Sequence, residues 1–234
     1  MMMYTMDMKK VVLITGASSG IGKEIAKLFL QKEYILILSG RNGQGFDYIK
    51  DNPNVDVVLG DITKKDVRKK ITDLIINKYQ RLDILINNAG ITVIQPFEEN
   101  SEEQLNSIYE TNLKTPILFT HDVYEIMKQT KNGTIVFINS SAGKQGYPNH
   151  TLYSTMKFGL NGFSQSLRLE AKKFGIRVMS VHPGGVKTAL YDKLKDKPDV
   201  NQYMDPKKVA EIVVYLSETS ELSPDEISIS RTTK

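Results

Sequence analysis

Three side chains that could move a proton and stabilise negative charge lie close together in the second half of the chain. Tyr153 and Lys157 are four residues apart, so on a helix both project from one face, about one turn apart. Ser140 stands just before them, at the end of an apolar run at 133–139 (GTIVFIN). A Tyr-x-x-x-Lys pair alone is typical of two surface side chains. Open α/β sheets, however, bind ligands at the carboxyl ends of their strands, and that position favours a functional site.

A glycine-rich turn forms a second candidate site. The first apolar run, 10–15 (KVVLIT), leads directly into Thr15-Gly16-Ala17-Ser18-Ser19-Gly20-Ile21-Gly22. Gly16 permits a tight turn, Gly20 lets the backbone approach a pyrophosphate, and Gly22 allows a helix to pack closely on the sheet. The helix N-terminus then faces the negative charge. A turn that serves only the fold is the alternative, but its position straight after a strand favours dinucleotide binding.

The end of the second predicted strand indicates which dinucleotide binds. An NAD-selective site usually places an acidic residue there, about 20 residues after the glycines. This chain has Ser39, Gly40 and Arg41 instead. A guanidinium without a neighbouring carboxylate suits the 2′-phosphate of NADP, so we predict NADP(H) over NAD(H), although a solvated loop arginine is the alternative. Asp61 and Ile62, after the third strand, are placed to meet the adenine, or Asp61 is the N-cap of the next helix.

Strands that alternate with helices must position these residues. Apolar runs predict strands at 10–15, 34–38, 55–59, 82–86, 133–139, 177–181 and 226–230. Helical spacing of apolar residues predicts helices at 21–31, 64–79, 111–127, 153–174 and 206–216, and Ser101 with Gln104 predicts a capping box at the start of one more. We therefore predict a single doubly wound α/β domain of the Rossmann type over 10–234. It has a parallel sheet of about seven strands with helices on both faces, after a flexible extension at 1–9.

Composition narrows the function classes. The chain has 234 residues, 40% of them hydrophobic, and its 31 Lys and Arg against 27 Asp and Glu give a formal charge of +4. That charge is too small and too evenly spread to predict nucleic-acid binding. The chain has no cysteine, and no apolar stretch approaches the roughly 18 residues that a spanning helix needs. We expect a cytoplasmic protein that binds neither membranes nor nucleic acid.

The histidines do not predict a metal site. His121, His150 and His182 lack ligand spacing, and no Gly-x-Ser-x-Gly elbow is present. We expect His121 on a helix surface and His182 packed beside Pro183. His150 either lines the mouth of a substrate site or is simply exposed to solvent.

Five motifs in order together resemble the short-chain dehydrogenase/reductase family. They are the glycine turn, Asn87-Asn88-Ala89-Gly90, Ser140, the Tyr153 and Lys157 pair, and Pro183-Gly184-Gly185-Val186-Lys187-Thr188. The resemblance runs over about 11–210 and includes the 13-residue step from Ser140 to Tyr153. It implies an enzyme that passes a hydride between a nicotinamide cofactor and a carbonyl or alcohol carbon.

The resemblance also implies roles for the reacting residues. Tyr153 would be the general acid or base, and Lys157 would lower the pKa of its phenol and bind the nicotinamide ribose. Ser140 would donate a hydrogen bond to the reacting oxygen, with Ser141 as a local competitor. Asn112 would anchor a water molecule beside the lysine, although an asparagine within a helix is more often exposed.

Cofactor contacts follow from the same resemblance. Thr188 and the backbone around Val186 would hold the nicotinamide carboxamide, while Asn88 would tie the fourth strand to its neighbours. The predicted cofactor-binding residues are Gly16, Ser18, Ser19, Gly20, Ile21, Gly22, Arg41, Asp61, Ile62, Asn88, Ala89, Gly90, Tyr153, Lys157, Pro183, Gly184, Val186 and Thr188.

The predicted activity is NADP(H)-dependent reduction of a ketone, aldehyde or 3-oxoacyl group, or the reverse oxidation of an alcohol. A non-catalytic NADP-binding sensor is the alternative, but it would not need Tyr153 beside a lysine. Residues 189–205 are polar and are the predicted mobile lid over the substrate. The core resembles 3-oxoacyl-acyl-carrier-protein reductases, but Leu222-Ser223-Pro224-Asp225 departs from their C-terminal pattern. We expect a homodimer, with a tetramer possible.

Overall fold

The computed structural model describes residues 9–49, 51–192, 194–219 and 221–232. Of the predicted flexible extension at 1–9, all but Lys9 lies outside the described residues. Lys9 is exposed, and the chain enters the first strand two residues later.

Seven parallel strands form one sheet, as the sequence predicted. They are β1 (Val11–Ile14), β2 (Ile35–Gly40), β3 (Val55–Leu59), β4 (Ile84–Asn87), β5 (Thr134–Ile138), β6 (Arg177–Pro183) and β7 (Glu226–Ile229). Their order is β3-β2-β1-β4-β5-β6-β7, and each neighbouring pair is parallel. The order reverses between β1 and β4, and in such sheets a ligand crevice opens at the carboxyl ends of the strands on either side of that point.

Helices cover both faces of the sheet. They are α1 (Gly20–Leu30), α2 (Lys65–Leu74), α3 (Glu102–Tyr109), α4 (Thr115–Thr130), α5 (Thr151–Ala171) and α6 (Pro206–Glu218). Alternate residues of β1 serve the two sides: Val12 and Ile14 pack in the core that includes α1 and α6, and Leu13 packs in the core with residues of α2, α4 and α5. Because both faces are covered, β1 is buried along its whole length, which explains its uninterrupted apolar sequence.

Two helical segments differ from the sequence prediction. The helix predicted at 64–79 is α-helical only over Lys65–Leu74 and continues as a π-helical turn at Ile75–Tyr79. The helix predicted at 111–127 begins within a second π-helical turn, Glu110–Lys114, which joins α3 to α4. Apolar spacing does not reveal these turns, because each is a single five-residue turn at one end of its predicted helix and does not interrupt the pattern.

The capping box that opens α3 is confirmed. The backbone N–H of Gln104 donates to Ser101 Oγ at 3.2 Å, and the backbone N–H of Ser101 donates to Gln104 Oε1 at 2.9 Å. Both donors would otherwise lack a partner at the start of the helix.

Candidate active site

The turn between β1 and α1 packs directly on the chain that leaves β4. Gly16 and Gly20 have φ of +66° and +55°, a left-handed conformation that favours glycine. A Cβ atom at Gly16 would lie 2.9 Å from Ala89 Cα, and one at Gly22 would lie 2.4 Å from Asn88 Nδ2. Side chains at these two positions would therefore push the two strand ends apart.

Thr15 and Asn88 hold the same two strand ends together. Thr15 Oγ1 accepts hydrogen bonds from the backbone N–H groups of Asn88 and Ala89 at 2.9 and 3.0 Å. Asn88 Nδ2 in turn donates to the carbonyl oxygens of Thr15 and Gly16 at 2.9 and 3.0 Å. The predicted structural role of Asn88 is thus seen in its contacts, which join the ends of β1 and β4 at the crevice floor.

The N-terminus of α1 opens into this crevice. Ser19 is the N-cap residue, and its side chain makes no capping hydrogen bond. Backbone donors in the first turn, which includes Gly20 and Ile21, are then available to an anion such as a pyrophosphate. Both residues line a cavity of about 980 Å³, at the upper end of the range for ligand sites.

Most predicted cofactor residues line this one cavity. Those lining it are Gly16, Ser18, Ser19, Gly20, Ile21, Arg41, Asp61, Ile62, Asn88, Ala89, Gly90, Tyr153, Lys157, Pro183, Gly184, Val186 and Thr188, together with Ser140. Gly22 and Asn112 lie behind its wall. The sequence analysis did not single out Ser107, Thr111, Ser230 and Arg231, which also line it, because no motif marks them.

One end of the cavity carries Arg41 and Asp61. The Arg41 side chain is exposed, and no carboxylate among the described residues forms an ion pair with it. Asp61 Oδ1 accepts hydrogen bonds from the backbone N–H and the hydroxyl of Thr63, at 3.0 and 2.8 Å. The N-cap of α2 is Lys64, so the alternative of Asp61 as the N-cap is wrong. Asp61 is hydrogen-bonded within its own turn, and Arg41 has no ion-pair partner among the described residues.

At the other end, Tyr153, Ser140 and Lys157 come together. The Ser140 side chain lies beside the phenol of Tyr153, close enough to lower its pKa. Lys157 Nζ donates to the carbonyl oxygen of Ile138 at 3.0 Å and lies 5.7 Å from the centre of the Tyr153 ring. Asn139 Nδ2 donates to the backbone oxygen of Lys157 at 3.2 Å, which ties α5 to the end of β5.

Burial is the largest cause of the pKa shifts of Tyr153 and Lys157. Burial raises the pKa of Tyr153 to about 12, against a smaller lowering by the hydrogen bond with Ser140. Burial also lowers the pKa of Lys157 to about 8, because a low-dielectric surrounding disfavours the charged ammonium. The expected lowering of the Tyr153 pKa by Lys157 is therefore wrong for the protein without cofactor. The phenol is protonated at neutral pH and can act as an acid.

Asn112 is buried within the second π-helical turn. Its Nδ2 donates to the carbonyl oxygen of Ile91 at 2.7 Å, and its Oδ1 accepts from the N–H of Ile91 at 2.9 Å. The alternative of an exposed asparagine is thus wrong, since its exposure is 1%. These two bonds fix the chain after β4, and a contact between Asn112 and a water molecule stays a prediction.

The histidines occupy three different environments. His121 is exposed on α4, as expected, and among the described residues no group of three or more His, Asp or Glu side chains could hold a metal ion. His182 is buried, and its Nδ1 donates to the carbonyl oxygen of Ser140 at 3.0 Å. His150 lines the cavity and is only partly exposed, so it is at the mouth of the site.

The chain matches one family model over most of its length. The model for short chain dehydrogenase covers residues 10–199. The chain belongs to the short-chain dehydrogenase family. Relatives include a sepiapterin reductase from Chlorobaculum tepidum, 31% identical over 88% of this chain and 89% of the relative. A 3-oxoacyl-[acyl-carrier-protein] reductase from Thermotoga maritima is also 31% identical, over 89% of this chain and 90% of the relative.

Solved short-chain dehydrogenases share the fold and carry either nicotinamide cofactor. A closed form of serine dehydrogenase complexed with NADP+ has a TM-score of 0.87 and 25% identity, with 94% of each chain covered. A 4-hydroxyisoleucine dehydrogenase complexed with NADH has a TM-score of 0.85 and 28% identity over 95% of this chain and 97% of the other. The protein is thus an oxidoreductase of this family, and no helix among its described residues is long and apolar enough to cross a membrane.

Proposed function

We propose that this short-chain dehydrogenase reduces a small carbonyl compound to an alcohol with NADPH as the hydride donor. The observation that carries the proposal is the meeting of the Tyr153 and Ser140 hydroxyls in the same cavity as the open N-terminus of α1. One end of this cavity suits a pyrophosphate, and the other suits a carbonyl oxygen.

Each reacting residue has a separate task in this proposal. When bound, NADPH supplies a hydride to the carbonyl carbon. Tyr153 donates its proton to the carbonyl oxygen, and Ser140 donates a hydrogen bond to the same oxygen and holds it in line. Lys157 stabilises the Tyr153 phenolate that the proton transfer leaves behind. Tyr153 is protonated at neutral pH, as a proton donor in reduction must be.

Selectivity for NADP over NAD is proposed from Arg41. The family binds both cofactors, so family membership does not decide between them. Arg41 is exposed and lines the cavity, and no carboxylate among the described residues forms an ion pair with it. A free guanidinium with no competing carboxylate attracts a 2′-phosphate, whereas an acidic residue would repel it.

A non-catalytic NADP-binding sensor is the second candidate. A sensor would need the glycine turn and Arg41 but would gain nothing from Tyr153. Burial of Lys157 carries an energetic cost, since it lowers the affinity of the amine for its proton. A binding site could use Lys157 for the nicotinamide ribose, but it would have no use for a protonated phenol beside a serine hydroxyl, which favours the enzyme.

A homodimer is proposed on the exposed apolar side chains of α5. Phe158 and Leu169 are 46% and 72% exposed, on the helix that also carries Tyr153. The two positions are 11 residues apart and so share one face of the helix, and a continuous exposed apolar patch is typical of an interface. Sedimentation equilibrium of the wild type and of Leu169→Lys should show a dimer that the substitution weakens, and a monomeric wild type would contradict it.

A carbonyl panel tests the activity itself. Ketones, aldehydes and 3-oxoacyl thioesters are each mixed with the protein and NADPH, and the loss of reduced nicotinamide absorbance is followed. We expect turnover of at least one carbonyl class, with 3-oxoacyl thioesters poor because the C-terminal sequence departs from those reductases. Tight NADPH binding with no turnover of any class would support the sensor instead.

A further inference from the structure

The cavity continues past Tyr153 between two segments of chain that each contribute a pair of aromatic rings. One segment precedes α5 and carries Tyr147 and His150, and the other follows β6 and carries Tyr191 and Tyr203. All four side chains line the cavity at its reacting end. Aromatic rings are amphipathic surfaces whose faces favour other π systems beyond the effect of apolar burial.

The first pair is continuous with the reacting residue. The ring centres of Tyr147 and His150 are 5.7 Å apart, and those of His150 and Tyr153 are 6.4 Å apart in an edge-to-face arrangement. His150 Nδ1 donates to the carbonyl oxygen of Pro148 at 2.7 Å, which fixes the orientation of the imidazole ring. A substrate carbonyl at Tyr153 therefore has an ordered aromatic wall on this side.

The second pair is held by the end of β6. The ring centres of Tyr191 and Tyr203 are 5.3 Å apart at an interplanar angle of 68°. A Cβ atom at Gly185 would lie 3.0 Å from three carbon atoms of the Tyr203 ring, so the ring lies against bare backbone. The Tyr191 hydroxyl lies close to the Val186 backbone, and burial, followed by the neighbouring Tyr153, raises its pKa well above the ordinary value.

Backbone hydrogen bonds place this second wall without a ligand. Met204 N–H donates to the Gly185 carbonyl at 3.0 Å, and Lys187 N–H donates to the Met204 carbonyl at 2.9 Å. The two segments form an isolated parallel bridge between Val186 and Met204. The far end of the predicted mobile lid is therefore anchored beside the site, and Tyr203 with it.

We propose that Tyr147, His150, Tyr191 and Tyr203 form an aromatic slot that selects planar, conjugated carbonyl compounds, of which aryl ketones are the simplest. The proposal rests on the proposed function, because it takes the carbonyl to react at Tyr153. Apolar burial alone predicts the opposite preference, since a saturated ring exposes more apolar surface than an aromatic ring of the same size. Tighter binding of an aromatic ketone than of a saturated ketone of the same size would therefore be evidence for the slot.

Two ketones of matched size test the slot by binding, without any reaction. Acetophenone and cyclohexyl methyl ketone are titrated by calorimetry into the protein saturated with NADP+, where a ketone has no hydride to accept. We expect acetophenone to bind about five- to tenfold more tightly, as one or two aromatic contacts would give. Equal affinities, tighter binding of the cyclohexyl ketone, or binding of neither at millimolar concentration would overturn the proposal.

Variants assign the preference to the rings. Tyr191→Leu and Tyr203→Leu should each reduce the preference to about twofold or less, whereas Tyr191→Phe and Tyr203→Phe should keep it because the ring remains. Tyr215→Leu, at an exposed position on α6 outside the cavity, is the matched control and should behave as the wild type. A preference that survives in both leucine variants would overturn the slot.

Assays of the same two ketones with NADPH distinguish failure of the slot proposal from failure of the proposed carbonyl reductase activity. A binding preference with no NADPH consumption would support the slot and contradict the carbonyl reductase. Turnover of both ketones with equal kcat/KM and equal affinity would support the reductase and contradict the slot.

Discussion

The amine of Lys157 donates a hydrogen bond to the backbone carbonyl oxygen of Ile138, over 3.0 Å. This contact joins the first turns of α5 to the carboxyl end of β5 and encloses the amine among buried groups. The enclosure lowers the pKa of Lys157 to about 8 and raises that of Tyr153 to about 12. Both shifts favour the uncharged form of each group, because burial disfavours charge.

The buried amine of Lys157 predicts a pH dependence of stability. Its folded pKa of about 8 lies below its ordinary value of 10.5, so between these values the unfolded chain binds more protons than the folded chain. The contribution of Lys157 to the free energy of unfolding should therefore rise with pH across that window, by about 3 kcal/mol at most. Denaturant unfolding of the cofactor-free protein at about pH 8 and about pH 10 measures it.

Two variants isolate the Lys157 contribution. Lys157→Met should lose the pH-dependent rise, and the exposed Lys172→Met should keep it. Ionisation of Tyr153 acts in the opposite sense, but only between its ordinary 10.0 and about 12. Parallel pH curves for the wild type and Lys157→Met would contradict a lowered pKa.

Arg41 predicts cofactor selectivity. Arg41→Ala should weaken NADPH binding by about tenfold or more, the value of a charge-assisted hydrogen bond, and change NADH binding by less than about twofold. Arg41→Lys, which keeps the charge but loses the fork of donors, should give an intermediate loss. Fluorescence titration with both reduced cofactors measures the effect, and equal losses for NADPH and NADH would make Arg41 a bystander.

Replacement of Asn112 should lower the free energy of unfolding whether or not a ligand is bound. Asn112→Leu would leave the part-buried N–H and carbonyl of Ile91 without their Asn112 partners, and should lower the free energy of unfolding by about 1–3 kcal/mol. Asn106→Leu, at an exposed position on α3, is the matched control and should change it by less than about 0.5 kcal/mol. Similar stabilities for the two variants would show that the Ile91 contacts do not hold the loop.

Alanine should have opposite effects at two helical glycines, Gly22 and Gly162. In Gly22→Ala the new Cβ would lie 2.5 Å from the Gly16 carbonyl oxygen and 2.4 Å from Asn88 Nδ2, so the turn must shift and cofactor affinity should fall at least about tenfold. In Gly162→Ala the Cβ meets no atom of its own chain within 4 Å, so helix propensity should stabilise α5 of the monomer by up to about 1 kcal/mol. Thermal unfolding and NADPH titration of both variants check this, and wild-type affinity in Gly22→Ala would contradict the close packing.

The sequence predicts the strands and helices within a few residues because apolar spacing follows directly from burial. The run at 55–59 coincides with β3, and the long helix predicted at 153–174 is α5 at Thr151–Ala171. The two π-helical turns were not predicted, since each lies at the end of a predicted helix and does not interrupt its apolar spacing. The burial of Asn112 was missed for another reason: its partner Ile91 lies 21 residues away in sequence.

The candidate site is predicted less completely than the fold. Ordered motifs predict Ser140, Tyr153 and Lys157, and they line one cavity. The direction of the Tyr153 pKa shift depends on burial, which local sequence does not report. The pairing of Tyr191 with Tyr203 depends on backbone bonds between Gly185 and Met204, and no residue type signals that contact in advance.

The most direct test of the central claim is a paired measurement on Tyr153→Phe. The substitution removes one hydroxyl and leaves the ring, so NADPH should bind within about twofold of the wild type. Carbonyl reduction should fall by about 10²–10⁴-fold, the usual contribution of a positioned acid. Wild-type turnover in a Tyr153→Phe protein that binds NADPH normally would contradict proton donation by Tyr153.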